Sequence, residues 1–165
     1  MNIAKQANME TLTAYHEAGH VIMAACLGAD VQSVTIEPDH DDGPARYGDT
    51  RARWPLGFPA RELRRREIFV LLAGPVAEMI YRGEPLHPGF VPEWADDWRQ
   101  AWALAEPLYR DPPARLKQLE RLTRELYQML RDDRRWAAIA ALADELLAHE
   151  TLDEEMIADV VAQWL

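Results

Sequence analysis

The sequence is nearly devoid of cysteine. Cys26 is the only one in 165 residues, so the chain can form neither an intramolecular disulfide nor a cluster of thiolate metal ligands. Such a composition is typical of proteins in a reducing compartment, and we expect a cytoplasmic location. Cys26 itself, six residues beyond His20, is expected to be a small buried residue.

Basic residues are outnumbered by acidic ones, and long apolar runs are scarce. The sequence has 18 Lys and Arg residues against 28 Asp and Glu residues, a net charge of −10 that repels phosphate backbones. Nucleic acid is therefore not an expected partner. The longest apolar stretches, residues 21–27 and 68–73, are far shorter than the roughly 20 residues of a transmembrane helix. We expect no membrane span and, from the first residues, no secretory signal.

Hydrophobic periodicity predicts a mainly α-helical protein with a small β-sheet or hairpin. A strand is predicted over residues 31–37, with one returning strand between residues 39 and 59. Predicted helices run from Asn8 or Thr11 to Leu27, then over residues 60–81, from 92 or 93 to 108, and over 115–131, 136–148 and 153–164. Pro75 is expected to bend the second helix or divide it into two.

The length fits a single domain. We predict a core in residues 1–110, with residues 111–165 as a C-terminal helical part of the same domain.

An H-E-x-x-H pattern lies within the first predicted helix. His16 and His20 are four residues apart, so their imidazoles share one helix face and can bind one metal ion. Glu17 is about 100° further round, where its carboxylate can act as a general base without being a ligand. Zinc suits this pair of histidines and needs a third protein ligand.

Spacing alone leaves that third ligand open among four residues. The candidates are Asp96 and Asp97 on the third helix, Glu78 on the second helix, and His87 in the loop between them.

Several blocks resemble the peptidase domain of the FtsH-type zinc metalloproteases, which are ATP-dependent and membrane-anchored. The opening blocks are TAYHEAGH, residues 13–20, and VTIEP, residues 34–38. Three later blocks follow in the same order: LAGPVAE at residues 72–78, DDWRQAWALA at 96–105 and LLAHETLD at 146–153. The matches extend over nearly the whole chain.

The resemblance implies an FtsH peptidase-domain-like helical fold, with His16, His20 and Asp97 as zinc ligands and Glu17 as general base. The sequence departs from the family pattern within these blocks: Pro75 replaces an Arg, Asp96 replaces an Asn and Trp102 replaces a Thr. The sequence also contains no G-x-x-x-x-G-K-[ST] phosphate-binding loop, so ATP hydrolysis is not transferred to it.

We therefore expect a zinc metalloendopeptidase that hydrolyses unfolded or extended polypeptide. The predicted strand at residues 31–37 is a candidate edge for a substrate peptide. Any ATP dependence would come from an ATPase partner in trans, and a homo-oligomer is a further option. The alternatives are a non-enzymatic helical interaction module that keeps the fold and a different metal-dependent hydrolase.

Other polar and aromatic residues receive secondary interpretations. Glu78, besides its place among the candidate ligands, suits a role in orienting a histidine. His40, among acidic neighbours, is interpreted as solvated, and His149 as a surface or capping residue, an interpretation that also applies to His87. Gly19 in mid-helix indicates close packing against its backbone. A stripe of tryptophans, Trp94, Trp98 and Trp102, indicates core packing or, if exposed, a docking surface.

Overall fold

The computed structural model describes residues 3–38 and 49–165, which form a mainly helical protein with a three-stranded antiparallel sheet. The helices are α1 (Ile3–Cys26), α2 (Ala60–Arg82), α3 (Ala95–Ala105), α4 (Pro112–Leu130), α5 (Asp133–His149) and α6 (Glu154–Trp164). The strands are β1 (Asp30–Thr35), β2 (Asp49–Arg53) and β3 (Thr151–Asp153). Among the described residues, no helix is both long and apolar enough to cross a membrane.

Helix α1 begins earlier than the sequence predicted. The expected caps, Asn8 and Thr11, lie inside the helix, which starts at Ile3. The hydroxyls of Thr11 and Thr13 donate to the carbonyls of Ala7 and Met9, one turn back. Such bonds are compatible with a helix interior, so these side chains do not mark its start.

Helix α2 is continuous through Pro75. The prediction that Pro75 divides this segment into two helices is wrong, because one helix runs from Ala60 to Arg82 with Pro75 buried inside it. The next residue, Gly83, has a left-handed φ of 72°, and its N–H caps the last turn of the helix.

The C-terminal helices begin at aspartate caps. Asp111 accepts from the N–H of Ala114, so α4 starts at the two prolines that follow and not at Arg115. Asp132 caps α5 and Asp153 caps α6 in the same way. These caps explain why both α4 and α5 start three residues before their predicted positions.

The sheet has the order β2-β1-β3, with both pairs antiparallel. The sequence predicted β1 and a returning strand but not β3, which covers only three residues. Because β1 is hydrogen-bonded on both sides, the expectation that it offers an edge to a substrate is wrong. In the described part of the chain, β2 and β3 are the outer strands.

Helix α1 packs against α2 and α5 and places its apolar second half in the core. At Gly19, a Cβ atom would lie 2.5 Å from the carbonyl oxygen of Ala73 and 2.7 Å from the Cβ of Ala77. Gly19 therefore lets α1 and α2 approach each other closely, as its position in mid-helix indicated.

The tryptophan stripe is mostly covered. Trp94 is fully buried, and Trp98 and Trp102 are half-buried against the core, in agreement with core packing. Cys26, in contrast, is exposed. The prediction that it is buried is wrong, because it is the last residue of α1 and the chain turns away there at Gly28, with a φ of 92°.

Candidate metal centre

Two histidines of α1 and one aspartate of α3 converge in the interior. The Nε2 atom of His16 lies 2.8 Å from Oδ2 of Asp97, and Nε2 of His20 lies 3.4 Å from the same oxygen. One ligand atom from each residue lies within 4.8 Å of the others, and all three residues are buried. This group can hold a metal ion.

Gly74 of α2 makes room for the two imidazoles. A Cβ atom at this position would collide with Nε2 of His20 and would lie 2.7 Å from Nε2 of His16. The backbone of α2 thus forms one wall of the candidate site, directly against the two nitrogen atoms that face Asp97. The sequence offered only a weak signal for this role, a glycine inside a helix and beside a proline.

His20 is held through its second ring nitrogen. Its Nδ1 atom lies 2.7 Å from the backbone carbonyl oxygen of Val70 on α2. A carbonyl oxygen only accepts, so Nδ1 carries the proton and donates it. In the neutral ring, Nε2 is then unprotonated and presents a lone pair towards Asp97.

His16 lies between two carboxylates. Its Nε2 faces Asp97, and its Nδ1 lies 3.3 Å from Oε1 of Glu78. Burial alone would lower the pKa of His16, but hydrogen bonds and negative charge from Asp97 and Glu78 outweigh burial and raise the pKa from 6.5 to about 9. Without a metal ion, His16 is therefore a buried cation at neutral pH.

The raised pKa predicts how the metal-free protein responds to pH. A group whose pKa rises on folding stabilises the fold fully below its unfolded pKa of 6.5, and this contribution disappears as pH rises through about 9. We expect the free energy of unfolding of the chelated protein to fall over this interval. Urea unfolding at pH 6.5 and 9.5 measures it. His16→Gln should remove this part of the slope, and equal slopes in both proteins would contradict the prediction.

Glu17 is also buried, with 2% of its surface exposed. Its Oε2 accepts a 2.6 Å hydrogen bond from the hydroxyl of Thr50 on β2. The carboxylate does not join the convergent group of His16, His20 and Asp97. Sequence reasoning missed Thr50, since no local pattern links it to α1.

The other candidate ligands lie elsewhere or face away. Asp96 bonds Arg99 and Gln100 at the surface, and Glu78 faces Nδ1 of His16, the nitrogen opposite Asp97. His87 accepts from the N–H of Gly89 as a cap.

The one other histidine in the described part of the chain, His149, is not part of the convergent group. His149 is exposed and pairs with Glu145, as a surface residue does. His40 and its acidic neighbours lie outside the described residues.

No protein-family model matches the sequence, and a search of curated proteins found no match. What the protein does is therefore inferred from the contacts within the site and from the sequence blocks that contain its residues.

Proposed function

We propose that the protein is a zinc-dependent metallopeptidase of the FtsH peptidase-domain type, which hydrolyses peptide bonds in extended or unfolded polypeptide. The observation that carries the proposal is the buried convergence of His16 and His20 of α1 with Asp97 of α3, beside Glu17 of α1. The ordered sequence blocks that resemble the family, some of which lie outside the site, add to this support. Any ATP-driven unfolding is proposed to come from a partner.

The donor set fits zinc. Two imidazole nitrogens and one carboxylate oxygen are common protein ligands of catalytic zinc, which keeps a further position open. Zinc–ligand bonds of about 2.0–2.2 Å in tetrahedral geometry separate ligand atoms by roughly 3.3 Å. The separations of 2.8 and 3.4 Å from Asp97 lie on either side of this value. When bound, zinc would supply a Lewis acid that polarises the scissile carbonyl and acidifies water.

Charge also favours a cation at this position. Asp97 and Glu78 are both buried, and buried carboxylates are costly unless a positive charge or hydrogen bonds compensate them. His16 provides one positive charge when it is protonated, and it must lose that proton to bind a metal ion. A divalent ion more than replaces this charge. Zinc binding is thus expected to release a proton from His16.

Glu17 is proposed as the general base. Its carboxylate would take a proton from the attacking water and return it to the amine as the C–N bond breaks. The products are one carboxylate and one amine, with no covalent enzyme intermediate. The bond from Thr50 fixes one carboxylate oxygen of Glu17, which leaves the other oxygen for the water.

The outer edge of β2 is proposed as the position of the substrate. Among the described residues, β2 pairs only with β1, so its other edge can accept an extended peptide as an added strand. Thr50 lies on β2 and contacts Glu17, so a peptide on this edge would pass next to the general base. Such a strand edge binds polypeptide segments in an extended conformation, which favours unfolded substrates.

A direct test is cleavage of unfolded casein by the zinc-loaded protein, with and without chelator. An unfolded substrate removes the need for an ATPase partner. We expect cleavage that stops on chelation and returns with zinc. Zinc binding without cleavage of casein or of a peptide library would favour the non-enzymatic module.

Thr50→Val is expected to lower kcat about tenfold, because a hydrogen bond to a charged group contributes roughly 1.5–3 kcal/mol and only part of it acts on the base. Valine preserves the side-chain shape, and zinc content should not change. Thr50→Ser is the matched control, since it retains the hydroxyl and most of the activity. Equal kcat values for the Val and Ser variants would contradict a role for the hydroxyl.

A further inference from the structure

We propose that the indole N–H of Trp94 is a positioning group for the metal centre and acts on His16 through Glu78. This inference rests on the proposed metal site but not on peptide hydrolysis. Trp94 ends a short turn, Pro92–Trp94, that leads directly into α3.

The contacts form a continuous chain to a ligand atom. Nε1 of Trp94 donates a 2.6 Å hydrogen bond to Oε2 of Glu78. The other oxygen of Glu78, Oε1, lies 3.3 Å from Nδ1 of His16, whose Nε2 faces Asp97. All four residues are buried, so water does not compete for these bonds.

The chemistry of the indole determines which group donates and which accepts in this series of hydrogen bonds. An indole N–H only donates and an ionised carboxylate only accepts, so neither group can reverse its part in the bond. The bond to Trp94 therefore fixes which oxygen of Glu78 faces His16. Nδ1 of His16 then donates to Oε1 of Glu78 and keeps its proton, so the proton that His16 would lose to a metal ion is the one on Nε2, which would then present the lone pair that the ion requires.

The placement of Trp94 also links two ligands. It lies three residues before Asp97, in the segment that carries this aspartate to the site. One stretch of chain therefore positions Asp97 directly and His16 through Glu78. A shift of this segment would therefore move both ligands together. The hydrogen bond from Trp94 to Glu78 thus does more than give a buried indole N–H an acceptor, because it connects the position of α3 to that of His16.

The other two tryptophans of the stripe have different surroundings and provide matched controls. The Trp98 ring packs against the His87 ring, with centroids 4.8 Å apart. The Trp102 ring lies beneath the guanidinium of Arg115 at 4.6 Å. Replacing either by Phe removes an indole N–H from the same face without removing the bond to Glu78.

The test is a double-mutant cycle on zinc affinity, measured by competition with a chromophoric chelator. Loss of an outer partner of a metal ligand typically weakens binding 10–100-fold, and we expect Glu78→Met to lie in this range. Trp94→Phe should weaken binding about tenfold, and Trp98→Phe should leave it unchanged. In the Glu78→Met background, Trp94→Phe should have no further effect.

A spectroscopic readout separates positioning from packing. In the zinc-loaded protein, the proton on Nδ1 of His16 should exchange slowly with solvent. The ¹⁵N chemical shift of this Nδ1 atom should change in Trp94→Phe but not in Trp98→Phe. Should Trp94→Phe fail to fold, the wild-type indole signal still decides. The N–H proton of the Trp94 indole should resonate downfield in the wild-type protein and return towards its ordinary chemical shift in Glu78→Met. An indole chemical shift that is the same in both proteins would overturn the proposal.

The remaining outcomes are distinct. An unchanged zinc affinity in folded Trp94→Phe, or an equal loss in the Glu78→Met background, overturns the role of Trp94. A wild-type protein that binds no zinc overturns both this inference and the proposed function. A protein that binds zinc, shows the expected cycle and cleaves nothing supports the positioning role and removes only the peptidase proposal.

Discussion

Glu17→Gln is expected to retain zinc and to lose about 10²–10⁴-fold in kcat, the usual contribution of a general base. Glutamine has nearly the same shape as glutamate and still accepts the hydrogen bond from Thr50, so the site should remain folded. It cannot take a proton from water at neutral pH. Initial rates of casein cleavage, together with zinc content from elemental analysis, measure both quantities.

The matched control is Glu10→Gln on the exposed first half of α1, which makes the same chemical change outside the site. It should leave both rate and zinc content unchanged. Full activity in Glu17→Gln would remove Glu17 as the base. Loss of zinc in this variant would instead indicate that the carboxylate acts as a ligand.

Gly74→Ala is expected to weaken zinc binding by at least about 100-fold, the upper range for disrupted metal surroundings, and to abolish hydrolysis. The added Cβ would collide with Nε2 of His20 and press on Nε2 of His16. Considered as a helix alone, α2 should gain about 1 kcal/mol from the change, because alanine favours helices more than glycine does. Helix propensity and the geometry of the site thus predict opposite outcomes.

Gly83→Ala is the control for this variant. Gly83 ends the same helix at a φ of 72°, and nothing lies within 4 Å of the position that a Cβ atom would take there. Its replacement should strain the backbone and lower the melting temperature without changing zinc affinity. Titration of both variants with zinc separates the effects. Wild-type affinity in Gly74→Ala would contradict the geometry of the site.

Much of the fold was predictable because it follows from local patterns. Periodicity located all six helices of the described chain, and the alternation of residues located β1. The start of α1 was misplaced because Thr11 bonds backwards within the helix, and the starts of α4 and α5 were misplaced because the Asp111 and Asp132 caps were not recognised. The strand β3 was missed because three residues carry no periodic signal, and this strand converts β1 from an edge into the centre.

Local sequence pattern predicted only those residues of the site that lie on one helix. The spacing of His16 and His20 places both rings on one face, whatever the rest of the chain does. The choice of Asp97 over Asp96 came from the resemblance to a family, and the structure brings Asp97 to the histidines. Thr50 and Gly74 depend on how β2 and α2 pack against α1, which no local pattern encodes.

The most direct test of the proposed metal centre is a crystal structure of the zinc-saturated protein, with anomalous data collected at the zinc edge. We predict one zinc ion per chain, bound by Nε2 of His16, Nε2 of His20 and a carboxylate oxygen of Asp97. The proposed metal centre would be contradicted if crystals grown with excess zinc showed no metal at this site and the two imidazoles and the aspartate pointing away from one another.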